Sequence, residues 1–249
     1  MIAGKYRSTC LSETNSAMNA QKLAKWKRWL GDANTRGTII HEIVELDMIR
    51  QIFAGVREVV SNNPALHRQS AFYYVFMANY AHSVLMYVRR QVNPDRDSIG
   101  LIMLACDLRD NCTSITQDYY ASLYTREADD EQARRDREAW GRSDFLMSFG
   151  GTTKNHLDPA IIKVDIDELQ AIRDASESFI DRRLAHLDGR EPKHIPTLPE
   201  IESWCDTLNA KLRKYILLLE GTDFQIRVVL QHDWRAIFRS TCLPNSSSG

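Results

Sequence analysis

Two arginines and a histidine stand within five residues of one another in the stretch "SFIDRRLAHLDGR". Arg182 and Arg183 precede His186, and Asp181 and Asp188 flank them. At α-helical spacing Arg182 and His186 are four apart and share a face, and Arg183 lies near it. A fixed positive charge disfavours the protonated form of a neighbouring imidazole. A neutral His186 could then act as a general base towards a ribose 2'-hydroxyl. Arg182 would hold the phosphate and stabilise the charge developing on it, with Arg183 as a supporting cation and Asp181 orienting them. That chemistry needs no metal and no cofactor. The same residues have a plainer reading, because cations near a helix C-terminus suit its dipole.

Other groups compete for attention. Arg89 and Arg90 close an earlier helix and would extend a phosphate-binding patch if the two helices pack side by side. Arg190 adds a further cation just after the segment. His41 and Glu42 in "IIHEIVELD" resemble half of a zinc-binding H-E-x-x-H, but position 45 is Glu, so the second ligand is missing. His41 reads better as a polar position on an amphipathic helix. His82 sits inside a very apolar helix, which suggests a core histidine bonded to Asn79 or Tyr80. His156 and Asp158 fall in a loop. The stripe Phe72, Tyr73, Phe76, Tyr80 and Tyr87 could stack bases, although core packing is the stronger reading for so dense a row.

These residues need a scaffold, and its periodicity is helical. Ile39, Ile43, Leu46, Ile49, Phe53, Val56 and Val60 recur every three or four residues. "AFYYVFMANYAHSVLMYV" is apolar nearly all round, which predicts a central helix. "SAMNAQKLAKWKRWL", "SIGLIMLACDLRDN" and "SITQDYYASLY" give shorter helices, the second with Asp97 as N-cap. Residues 126–142 form a charged insertion, either a solvated helix or a mobile connection. Asp165 with Glu168 reads as the start of a long helix, ended by Gly189 and Pro192. Thr197, Pro199 and Gly221 bound the last long helix. Residues after Gly221 suggest a strand or an irregular flap, and residues 243–249 a disordered tail. The fold class is therefore an all-α, up-and-down bundle of about six to seven helices in one domain spanning 1–249, with a short irregular C-terminal tail.

Composition narrows the function classes. The net charge is −1, so no global field draws the chain to nucleic acid, and any basic site must be local. Five cysteines without a C-x-x-C pair point to reduced thiols and a cytoplasmic location, not to zinc or a disulfide framework. No apolar run reaches the length of a membrane span, and "MIAGKYRSTCLSETN" lacks the apolar core of a signal peptide. No phosphate-binding glycine loop is present, since "GGTT" lacks the lysine and spacing.

The segment "DRRLAHLD" resembles the signature of HEPN domains, specifically the AbiU-like abortive-infection branch. "YVRRQVNPDRDSIGLIMLACDL", "PTLPEIESWCDTLNAKLRKYILLLEG" and "DWRAIF" are similar to neighbouring stretches of that family, so the resemblance covers residues 38–240. It implies a helical bundle, a homodimer, an antitoxin or defence-system partner protein, and in active members a metal-independent endoribonuclease acting on RNA. The family signature is an Arg, four to six residues, then a His. His186 matches. The expected arginine positions hold Phe179, Ile180 and Asp181, and Arg182 and Arg183 stand closer to the histidine. The shift leaves a second expectation open, a non-catalytic interaction or dimerisation module.

Overall fold

The structure is a computed structural model that describes residues 19–62, 71–185, 189–225, 230 and 233–238. Eight α-helices form an all-α bundle, with no strand among the described residues. Helix α1 covers residues 19–30 and carries Trp26, fully buried; its indole N–H donates to Asp107 at 2.7 Å. Helix α2, Ile39–Ser61, buries the predicted stripe through Ile39, Ile43, Leu46, Phe53, Val56 and Val60. Each such side chain contributes about 1.5–3 kcal/mol by leaving water.

Helix α3, Ala71–Val92, takes the central position its composition predicts along its second half but not its first. Its second half is buried through Tyr80, Val84, Leu85, Val88 and Val92, and the helix packs against α2 and against two later helices, Pro159–Phe179 and Leu198–Glu220. Its first half faces outward, with Tyr74 74% and Val75 52% exposed. An all-round apolar pattern records what could be buried; in the first half, Phe76 stacks on Phe53 of α2 at 5.6 Å while Tyr74 and Val75 stay exposed.

Helix α4, Leu101–Asp110, follows Gly100 and not the expected Asp97 cap. The Leu101 N–H is met instead by the side-chain oxygen of the buried Gln91, at 3.3 Å. Helix α5, Gln117–Tyr124, is capped by Thr116. The charged run resolves as helix α6, Glu131–Phe145, capped by Asp130 and continued by a π-turn, Leu146–Gly150. It is a solvated helix packed against α5 on one side.

Helix α7, Pro159–Phe179, starts six residues before the predicted Asp165. Asp158 caps it, and Pro159 supplies the preset φ of a first turn. Helix α8, Leu198–Glu220, has the full capping box of Thr197 and Glu200 and ends at Gly221 with φ 69°. A 3-10 turn, Trp234–Phe238, then returns to α2. Trp234 lies so close to Gly55 that a Cβ there would sit 2.5 Å from the indole, and Arg235 pairs with Glu58 at 2.9 Å. The expected strand or flap falls mostly on residues 226–229, outside the described residues, as does the tail 243–249. No described helix is long and apolar enough to cross a membrane.

Candidate functional site

The arginine segment lies where α7 stops being an α-helix. Ile180–Ala185 form a π-turn, whose hydrogen bonds run i to i+5 and widen the helix. The α-helical spacing assumed for Arg182 and His186 therefore does not hold over 180–185. Ile180 stays buried and anchors the turn in the core. Asp181, Arg182 and Arg183 then project at the bundle's end.

Their partners are specific. Asp181 pairs with Arg89 at 2.7 Å, so α3 and α7 do lie side by side as the patch requires. Arg182 donates to the Glu191 carbonyl oxygen, and Arg183 pairs with the Glu191 carboxylate at 2.7 Å. The return segment is pinned further by the Lys193 N–H, which donates to the Ser178 hydroxyl at 3.2 Å. Arg190 is exposed in the same return segment. Arg90 departs from the expected patch: it pairs with Glu42 of α2 at 2.7 Å and covers the Tyr87 ring at 5.1 Å. Beside Arg89, a cleft of about 50 Å³ opens between α3 and α7, lined by Asn93, Arg173, Ser176, Glu177 and Ile180. His186 and Asp188 lie outside the described residues.

The competing candidates separate clearly. His41 is mostly buried on α2; its Nε2 lies 3.7 Å from Glu45, and its Nδ1 is buried without a hydrogen bond. Tyr87 donates to Glu45 at 2.6 Å, and burial with that carboxylate pushes the phenol up to about 12. Among the described residues no group of three His, Cys, Asp or Glu could hold a metal ion. His82 is exposed and so is not the expected core histidine, because the outward-facing side of α3 carries it. His156 keeps its Nδ1 3.0 Å from the Leu157 carbonyl. Asp158 is buried as the α7 cap, accepting from Thr152 and Ala160, which gives it a structural role. Of the aromatic row, Tyr80 is buried and stacked on Phe53 at 3.5 Å, while Tyr73, Phe76 and Tyr87 are half-buried; the Phe72 side chain lies outside the described residues. Cys106, Cys112 and Cys205 are free, and burial pushes Cys205 up to about 12, far from a reactive thiolate. Cys10 and Cys242 lie outside the described residues.

One cluster escaped the sequence reading. Asp165 is 2% exposed and accepts from Lys211 at 2.8 Å, Lys214 at 2.6 Å and the Tyr215 hydroxyl at 3.0 Å. Lys211 also reaches Glu168 at 2.6 Å. The signal was available, because Asp165 interrupts the apolar stripe Ile162, Ile166, Leu169 and Ile172. An acid on a buried stripe must find cations.

Comparison of the chain with protein-family models, with curated proteins and with solved structures gives no match.

Proposed function

We propose that the arginine-bearing end of α7 binds RNA phosphates and that the chain is a HEPN-like, metal-independent endoribonuclease of a bacterial abortive-infection or toxin system. The observation that carries this reading is the π-turn at Ile180–Ala185. Such turns concentrate at functional sites, and this one sets Arg182 and Arg183 next to the Arg89–Asp181 pair, just before His186. His186 takes the proton from the ribose 2'-hydroxyl. The 2'-oxygen attacks the adjacent phosphorus, the bond to the 5'-oxygen of the next nucleotide breaks, and that oxygen takes a proton from water, giving a 2',3'-cyclic phosphate and a 5'-hydroxyl. Arg182 and Arg183 hold the phosphate oxygens as charge builds on them. The test compares RNA degradation and growth arrest by the wild type and by His186→Ala. Loss of both in the variant is expected, and equal activity removes His186 from the mechanism.

A specific observation favours a second reading, a non-catalytic interaction or dimerisation module. Glu191 engages both arginines that a phosphate would need. Under that reading Glu191→Gln leaves RNA affinity unchanged.

A further inference from the structure

A second cleft, about 370 Å³, lies at the opposite end of α8 from the arginine segment. It is bounded by the α5–α6 hairpin and the Gly221 turn, and its lining includes Tyr124, Arg126, Glu127, Arg137 and Trp140. That volume falls in the range of small-molecule sites. Three observations point to the chemistry it would take. Trp140 is 65% exposed, an indole face open at the cleft. Arg137 makes no hydrogen bond or ion pair among the described residues, although it is only half-exposed. Of the two carboxylates at the cleft, Glu220 is already paired, with Lys27 at 2.9 Å and Arg126 at 3.6 Å, which leaves the exposed Glu127 as an acceptor.

The walls are fixed. A Cβ on Gly141, next to Trp140, would stand 2.9 Å from the Ala121 Cα, so the two helices of the hairpin touch backbone to backbone. Gly221 has φ +69°, and a Cβ there would meet Leu123 at 2.7 Å. Both close approaches need glycine, and both hold the cleft in shape before any ligand arrives.

We infer that this cleft binds a nucleotide unit, with the base stacked on Trp140 and the phosphate held by Arg137 and Arg126. Stacking on an aromatic face tolerates any base, and a guanidinium fork matches phosphate oxygens. Glu127 accepts from the amino or imino N–H groups of the base edge. The site is independent of the arginine–histidine reading, and the two stand or fall separately.

The experiment is calorimetric titration of the full chain with GMP and, in parallel, with a single-stranded RNA hexamer. Saturable binding of either probe, weakened about tenfold or more in Trp140→Ala and in Arg137→Glu, supports the site. Binding of GMP alone identifies a free nucleotide as the ligand, and binding of the hexamer, displaced by GMP, identifies an RNA strand. Both side chains are exposed enough that the variants should keep the wild-type circular dichroism and melting temperature. A His186→Ala protein should bind GMP as the wild type does, which separates this cleft from the cleavage reading. No saturable binding of either probe at millimolar concentration overturns the inference. So does equal affinity in the wild type and both variants.

Discussion

Helix α7 carries two charged clusters, one towards each end, each an aspartate met by cations but in opposite surroundings. Near its start Asp165, 2% exposed, holds Lys211, Lys214 and Tyr215 of α8. At its finish Asp181, 41% exposed, meets Arg89, while Arg182 and Arg183 lean on a glutamate whose side chain is 82% exposed. The buried cluster is a fixed part of the fold, because removing Asp165 leaves partly buried ammonium groups without their shared acceptor. The exposed cluster costs little to break, since water and salt screen each pair. A site that must exchange its carboxylates for a ligand's phosphates needs the second kind.

That contrast can be broken by substitution. Asp165→Ala leaves two half-buried ammonium groups and a buried hydroxyl without their shared acceptor. We expect a loss of about 3 kcal/mol in urea denaturation. A loss below about 1 kcal/mol would show that Lys211 and Lys214 find water instead. Tyr215→Phe removes one hydrogen bond of the same cluster, and about 1 kcal/mol of stability should go with it.

A pH titration sharpens the comparison at a third cluster. Burial works to raise the Asp107 carboxyl, but hydrogen bonds from Lys25 and Trp26, with the charges of Lys25 and Lys22, outweigh it and hold the group below its ordinary value. A folded-state value below the unfolded one means stability that is fully present above about pH 4 and lost as the pH falls through the folded value. Asp107→Asn should therefore flatten the acid limb of the stability curve below about pH 4. An unchanged limb would place the acid sensitivity elsewhere.

The smallest effects on stability belong to the exposed end. Arg89→Ala should cost about 0.5 kcal/mol and less in high salt. A cost near that of Asp165→Ala would make the pair structural and erase the contrast. Glu191→Gln should leave the melting temperature unchanged and raise RNA affinity a few-fold, because Arg183 loses its competing carboxylate.

Much of the scaffold was legible in the sequence. The α2 stripe, the Thr197–Pro199 opening of α8 and its Gly221 terminus rest on local spacing, and the structure forms each of them. The α7 start was misplaced because Asp165 and Glu168 imitate a capping box, although "HLDPAI" holds the better signal in Asp158 followed by Pro159. Asp97 fails as a cap because a distant side chain, Gln91, takes the role through tertiary contact. Of the candidate site, the approach of Arg89 to the arginine segment was legible as a condition on helix packing, whereas its pairing with Asp181 and the diversion of Arg90 to Glu42 were not. The π-turn has no residue pattern of its own, so nothing in "IDRRLA" announces it. The return of Glu191 onto both arginines is likewise a matter of chain path, not of spacing.

The most direct test of the exposed end as the working site is RNA cleavage in the presence of a chelator. The assay compares the wild type with Arg182→Ala and His186→Ala and analyses the product ends. Cleavage should survive the chelator, leave 2',3'-cyclic phosphate and 5'-hydroxyl ends, and fall about 100-fold or more in both variants. Cleavage abolished by the chelator, or equal in all three proteins, would contradict this, as would the absence of any cleavage by the wild type.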